Sequence, residues 1–109
     1  MSIKAKDIIP PPLSQHLAAL GYNLRLARKR RKWSVAKVRG DIKCSKGTLE
    51  DAEKGRPTVS IGVYVLLMDL YGFKADFAAL TAPDKDTIGQ ALAGEPGTSR
   101  RPKVSPADF

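Results

Sequence analysis

The residues best placed to do chemistry lie between Ser34 and Arg56, and what they offer is recognition of an anion or a base edge rather than the making of bonds. Ser45 stands ahead of a short apolar pattern with helical spacing. Lys46, Gly47, Glu50, Asp51 and Lys54 fall outside its apolar positions, Leu49 and Ala52. Hydroxyls such as Ser45 and Thr48, together with the backbone N–H groups of a helix start, can bind phosphate. A lysine such as Lys46 can reach the acceptor edge of guanine, and an aspartate such as Asp51 can accept from the amino group of cytosine. Bond-making chemistry is not expected. His16 stands alone, without Asp, Cys or a second His at catalytic or metal-ligand spacing, and Cys44 is the single cysteine. Phosphate-cradling glycine loops and nucleophile–base pairs are likewise missing from the sequence, so neither an enzyme, a metal site nor a cofactor is expected.

The elements that must hold these residues can be read from the same spacing. Leu17, Leu20, Leu24 and Ala27 predict a first helix from an N-cap at Ser14 to about Arg31. Pro10, Pro11 and Pro12 before it read as the end of an extended arm. Ser34 opens a short second helix with Val35, Val38 and Ile42 on one face. Ser45 opens a third, closed by Gly55 with Pro57 beyond. Two short helices therefore meet across a turn of about three residues. Val38 and Ile42 are spaced to meet Leu49 and Ala52, which leaves the outer side of the second of the pair free to enter a major groove about 12 Å wide.

Ser60 caps the most apolar helix, in which Val63, Leu66, Leu67 and Leu70 form the expected inward stripe before Gly72. Its other side carries Tyr64, Val65, Met68 and Tyr71, so this helix is apolar nearly all round. A second copy of the chain is the preferred cover for Tyr64, Met68 and Tyr71, and residues 86–93 of the same chain are the alternative. A short helix with Phe77 and Leu80 inward follows, then one capped by Asp86 with Ile88, Ala91 and Leu92 on a face. Residues 95–109, rich in Gly, Pro and Ser, read as a flexible basic tail.

Charge points to the class of partner. The 109 residues carry a net charge of +8, and Arg25, Arg28, Lys29, Arg30, Arg31 and Lys32 form a run without an acid. Clustered cations of this kind attract polyanions. A solvated helix end is the plainer explanation of the run, but beside a helix–turn–helix pattern phosphate contact is preferred. A membrane surface is disfavoured because the basic helix lacks an exposed apolar face. The longest apolar run, residues 61–70, is about half of what a bilayer span requires. With no signal-peptide pattern and one cysteine, the cytoplasm is the expected compartment.

Between Leu20 and Leu80 the chain resembles the phage Cro and repressor type of helix-turn-helix protein, the XRE family. The residues that carry the likeness are Leu24-Arg25-Leu26-Ala27-Arg28-Lys29-Arg30-Arg31, Ser45-Lys46-Gly47-Thr48-Leu49, Glu53-Lys54-Gly55, and Ser60 with the apolar helix after it. The resemblance implies an ion pair between Arg28 and Glu53. It also marks departures: Arg39 where alanine is usual, Lys43 where glycine is preferred in the turn, and Val35 in place of a frequent phosphate-binding glutamine. Residues 55–64 and 82–92 resemble a narrower branch, the HipB-like antitoxins paired with HipA-like serine/threonine kinases. That likeness implies a homodimer that represses its own operon and binds the kinase.

The expected protein is thus all-α: a five-helix, lambda-repressor-like domain over residues 14–81, an arm over 1–13, a short extra helix over 82–94 and a tail over 95–109. The expected function is repression through a palindromic operator in double-stranded DNA, contacted by Ser34, Lys37, Lys43, Ser45, Lys46, Gly47, Thr48, Asp51, Lys54 and Arg56. The alternative is an antitoxin that chiefly restrains a kinase while its DNA contact is weak or altered.

Overall fold

The computed structural model describes residues 8–94. Among these it is all-helical, without strands: α1 Pro11–Arg30, α2 Val35–Ile42, α3 Lys46–Glu53, α4 Ile61–Leu70 and α5 Thr87–Leu92, with 3-10 turns at Phe77–Thr81 and Pro83–Lys85. The tail 95–109 and the first seven residues of the expected arm lie outside the described residues. The chain divides into two compact units, one ending at Ala75 and one beginning at Asp76.

In the first unit Leu24 and Ala27 of α1, Val38 of α2, Leu49 and Ala52 of α3, and Tyr64, Leu67 and Tyr71 of α4 and its end form one core. Helix α1 begins four residues earlier than the spacing predicts, its N-cap falling before Ser14. Pro10 is the N-cap and Pro11 and Pro12 occupy the first turn. The reason is that the first turn of a helix has no use for its backbone N–H groups, and proline's fixed φ suits it. Ser14 instead donates its hydroxyl to the Pro11 carbonyl at 3.0 Å. The caps of α2, α3 and α4 are where the spacing places them. Ser34, Ser45 and Ser60 accept from the N–H groups of Lys37, Thr48 and Val63.

Each of α1 to α4 ends in the same way, with a left-handed residue and a bond from the next N–H back to a carbonyl five residues earlier. These are Trp33 to Arg28, Cys44 to Arg39, Arg56 to Asp51 and Phe73 to Met68. Glycine supplies the left-handed conformation at Gly55 and Gly72, but lysine does so at Lys32 and Lys43, with φ of 57° and 55°.

Two expectations for the apolar helix are corrected. Its buried face is Tyr64, Leu67 and Tyr71, while Leu66 is 48% exposed. Tyr64 and Tyr71, expected at a dimer interface, are therefore core residues of their own unit. Both tyrosines have partners on this side: Tyr64 donates its hydroxyl to the Arg56 carbonyl at 2.8 Å, and the Tyr71 ring stacks on Trp33 with centroids 6.0 Å apart. Met68 is only half-buried.

In the second unit Asp86 caps α5 by accepting from the Gly89 N–H, and Gln90 donates to the Pro83 carbonyl at 3.0 Å. Leu80, expected to point inward, is 72% exposed, and Ile88 and Leu92 are exposed as well. A 3-10 turn of five residues and a six-residue helix have no layer of their own in which to bury these side chains.

Candidate nucleic-acid interface

Helix α3 is held from behind by α1. Near its C-terminal end the two backbones meet with no side chain between them. A methyl group on Gly21 of α1 would run into the Gly55 nitrogen and the Ala52 carbonyl, and one on Gly55 would run into the Leu17 carbonyl. Only glycine on both sides allows this approach. Arg28 then clamps the same junction. Its Nε donates to Glu53 Oε2 at 2.7 Å, one terminal nitrogen donates to Oε1 at 3.1 Å, and the other donates to the Trp33 carbonyl at 3.0 Å. The two side chains are 11% and 8% exposed, so the pair is nearly buried. Its hydrogen bond to Glu53 raises the Arg28 guanidinium further above its already high pKa.

Arg31 is a second structural cation within the basic run. It donates to the Ala27 and Tyr71 carbonyls at 2.9 and 2.6 Å and lies over the Tyr71 and Trp33 rings. Arg25, Lys29, Arg30 and Lys32 remain exposed. Sequence reasoning missed three of these positioning residues, Gly21, Arg31 and Trp33. A glycine inside a helical pattern is a recognisable signal of close approach, and the chain's single tryptophan, directly before the Ser34 cap, was another.

The residues expected at DNA fall on a continuous segment of secondary structure. Ser34 and Lys37 form the first turn of α2. Lys43, Cys44 and Ser45 make the turn, and Lys46, Gly47 and Thr48 form the first turn of α3. Because Leu49 and Ala52 are buried, Lys46, Gly47, Glu50, Asp51 and Lys54 project from the opposite side of α3. Thr48 and Asp51 are half-buried; the rest of the expected set is exposed. Arg39 leaves the junction sideways into solvent, so its length does not disturb the packing of α2 on α3. Cys44 packs against the core, and burial pushes its thiol up, away from reactivity at neutral pH.

Hydrogen bonding leaves part of the set available. The Ser34 oxygen accepts from the Lys37 N–H at 3.1 Å, which leaves its hydroxyl proton free to donate. Ser45 donates to Thr48 Oγ1 at 2.9 Å while accepting from the Thr48 N–H, so the outward donor of that pair is the Thr48 hydroxyl. Three cations are matched by acids: Lys37 with Asp41 at 3.0 Å, Arg56 with Asp51 at 3.3 Å and Lys46 with Glu50 at 3.8 Å. Exposed pairs of this kind are worth about 0–1 kcal/mol each, little enough for a phosphate to displace. Lys43 and Lys54 make no ion pair among the described residues.

Two short helices, a three-residue turn, and a second helix whose back is locked and whose front is polar define the architecture. The chain belongs to the helix-turn-helix domain family. Residues 19–80, more than half of the chain, match it. This is the architecture with which proteins present a helix to the major groove of DNA. Neither the curated proteins nor the solved structures contain a match to the chain. No helix among the described residues is long and apolar enough to cross a membrane.

Proposed function

We propose that this helix-turn-helix protein is a sequence-specific DNA-binding repressor in which α3 reads the major groove and α2 rests on the flanking phosphates. The observation that carries the reading is the α3 surface. Lys46, Gly47, Glu50, Asp51 and Lys54 stand exposed or half-exposed on a helix fixed from behind by Gly21, Arg28 and Glu53. In this reading Lys46 and Asp51 address base edges, Gly47 lets the helix come close to the groove floor, and Ser34, Lys37, Lys43, Ser45, Thr48, Lys54 and Arg56 contact the backbone. A two-fold dimer on a palindromic operator fits the geometry of such units, since half-sites one helical turn apart are read by paired helices. Met68 is the one residue of the expected interface that its own core leaves partly open.

The narrower reading, an autoregulating antitoxin bound to a HipA-like kinase, rests on the resemblance of residues 55–64 and 82–92. One observation favours its version with weakened DNA contact: the acids Asp41, Glu50 and Asp51 already occupy three of the five cations of the expected DNA-contacting set.

The test is a fluorescence anisotropy titration with the DNA upstream of the protein's own gene, against scrambled competitor, for the natural chain and Lys46→Ala. Binding that discriminates the upstream sequence and falls about tenfold or more in the variant is expected, as each good base contact is worth about 1–3 kcal/mol. Binding that ignores sequence would transfer the main role to protein interaction.

A further inference from the structure

On the side of α1 facing α4 the first unit carries an open groove that the DNA reading does not use. Two depressions of about 430 and 280 Å³ share Asn23 and Phe73 as a common wall. Leu20, Leu24 and Met68 floor the smaller one, and Leu26 and Ala27 floor the other. Phe73 is 50% exposed although it stands among apolar neighbours. Arg30, Arg31 and Lys74 rim the groove and no acid lines it. The Asn23 amide, in the middle, makes no hydrogen bond to the described residues.

We propose that this groove takes a short acidic segment of a partner protein, anchored by one or two apolar side chains. From Leu20 to Arg30 α1 advances about 15 Å, the length of four to five residues of extended chain. The apolar floor fits side-chain anchors, the Asn23 amide can pair with a peptide unit through its donor and acceptor, and the cationic rim selects carboxylates. Nucleic acid is the poorer occupant, because phosphates on the rim would leave Phe73 and Met68 uncovered. A second copy is disfavoured at this groove, since a two-fold contact there would bring the Arg30, Arg31 and Lys74 of both chains together with no acid between them. The proposal is independent of DNA reading by α3, whose Lys46 and Asp51 are absent from the groove's lining.

The test uses the full chain and a fluorescein-labelled octapeptide of leucine, phenylalanine and glutamate, beside its counterpart with lysine for every glutamate. The acidic peptide should bind and the basic one should not. Binding should weaken about tenfold or more in Phe73→Ser and in Arg30→Glu with Lys74→Glu, yet hold within about twofold in Arg25→Glu, a charge reversal on α1 outside the groove. Equal loss in Arg25→Glu would reduce the effect to net charge and overturn the proposal, as would no binding of the acidic peptide. Displacement of the peptide by an unrelated DNA duplex would assign the groove to nucleic acid. Dimerisation seen in sedimentation and abolished by Phe73→Ser would assign it to a second copy.

Discussion

Tyr71 combines a well-packed ring with a buried hydroxyl that has no hydrogen-bond partner among the described residues. Such a group retains its desolvation penalty, so Tyr71→Phe should leave stability unchanged or raise it by about 1 kcal/mol in urea titrations. Burial also pushes the phenol up to about 12. An unfolded tyrosine loses its proton near 10, so the unfolded chain gives up protons first, and stability must fall as pH rises from about 10 towards 12. That decline should be shallower in Tyr71→Phe. Lys43 is a second residue that opposes its surroundings: its left-handed backbone costs an L side chain roughly 1–2 kcal/mol. Lys43→Gly relieves this but loosens the unfolded chain, so a net gain of about 0.5–1 kcal/mol is expected. If Lys43 contacts phosphate, the same change will weaken DNA binding while stabilising the fold.

Between elements, the α1–α3 junction decides whether α3 is held at all. Gly21→Ala inserts a methyl group against backbone that cannot move aside, and a loss of about 3 kcal/mol in denaturant titrations is expected. Arg28→Met leaves the Glu53 carboxylate nearly buried without its partner, and should also cost about 3 kcal/mol; adding Glu53→Gln should recover part of it. Much of this level was legible in the sequence. Serine caps, the glycine stop at Gly55 and the Arg28–Glu53 pairing all depend on short-range spacing or a family pattern. The start of α1 was misplaced because prolines exclude a helix interior but not its first turn. The rotation of α4 was misplaced because a helix that is apolar all round has no contrast to read, and the partners of its tyrosines, the Arg56 carbonyl and the Trp33 ring, lie outside it. The Gly21–Gly55 contact joins residues far apart in the chain: a glycine inside a helical pattern marks a close approach, but local periodicity does not say to what.

For the whole molecule, the distribution of charge separates two surfaces. Arg28 is nearly buried in its ion pair and Arg31, itself exposed, is bonded to backbone carbonyls, while the five cations expected at DNA lie on the α2–turn–α3 segment, and of those five Lys43 and Lys54 lack an acidic neighbour among the described residues. Each phosphate neutralised lowers log K by about 0.9 per unit of log salt, so with Lys46 at a base edge a slope of about −2 per chain would mean that the acids stay in place, and one of about −3.6 that phosphates displace Asp41 and Asp51 from Lys37 and Arg56. The central claim is that α2, the turn and α3 form the DNA-contacting surface. The most direct test is a ¹H–¹⁵N correlation titration of the full chain with the duplex upstream of its gene. Shifts concentrated at residues 34–37 and 43–56 are predicted. Shifts confined to Arg25 and Lys29 of α1 and Lys32 just beyond it, with α3 unmoved, would contradict the account.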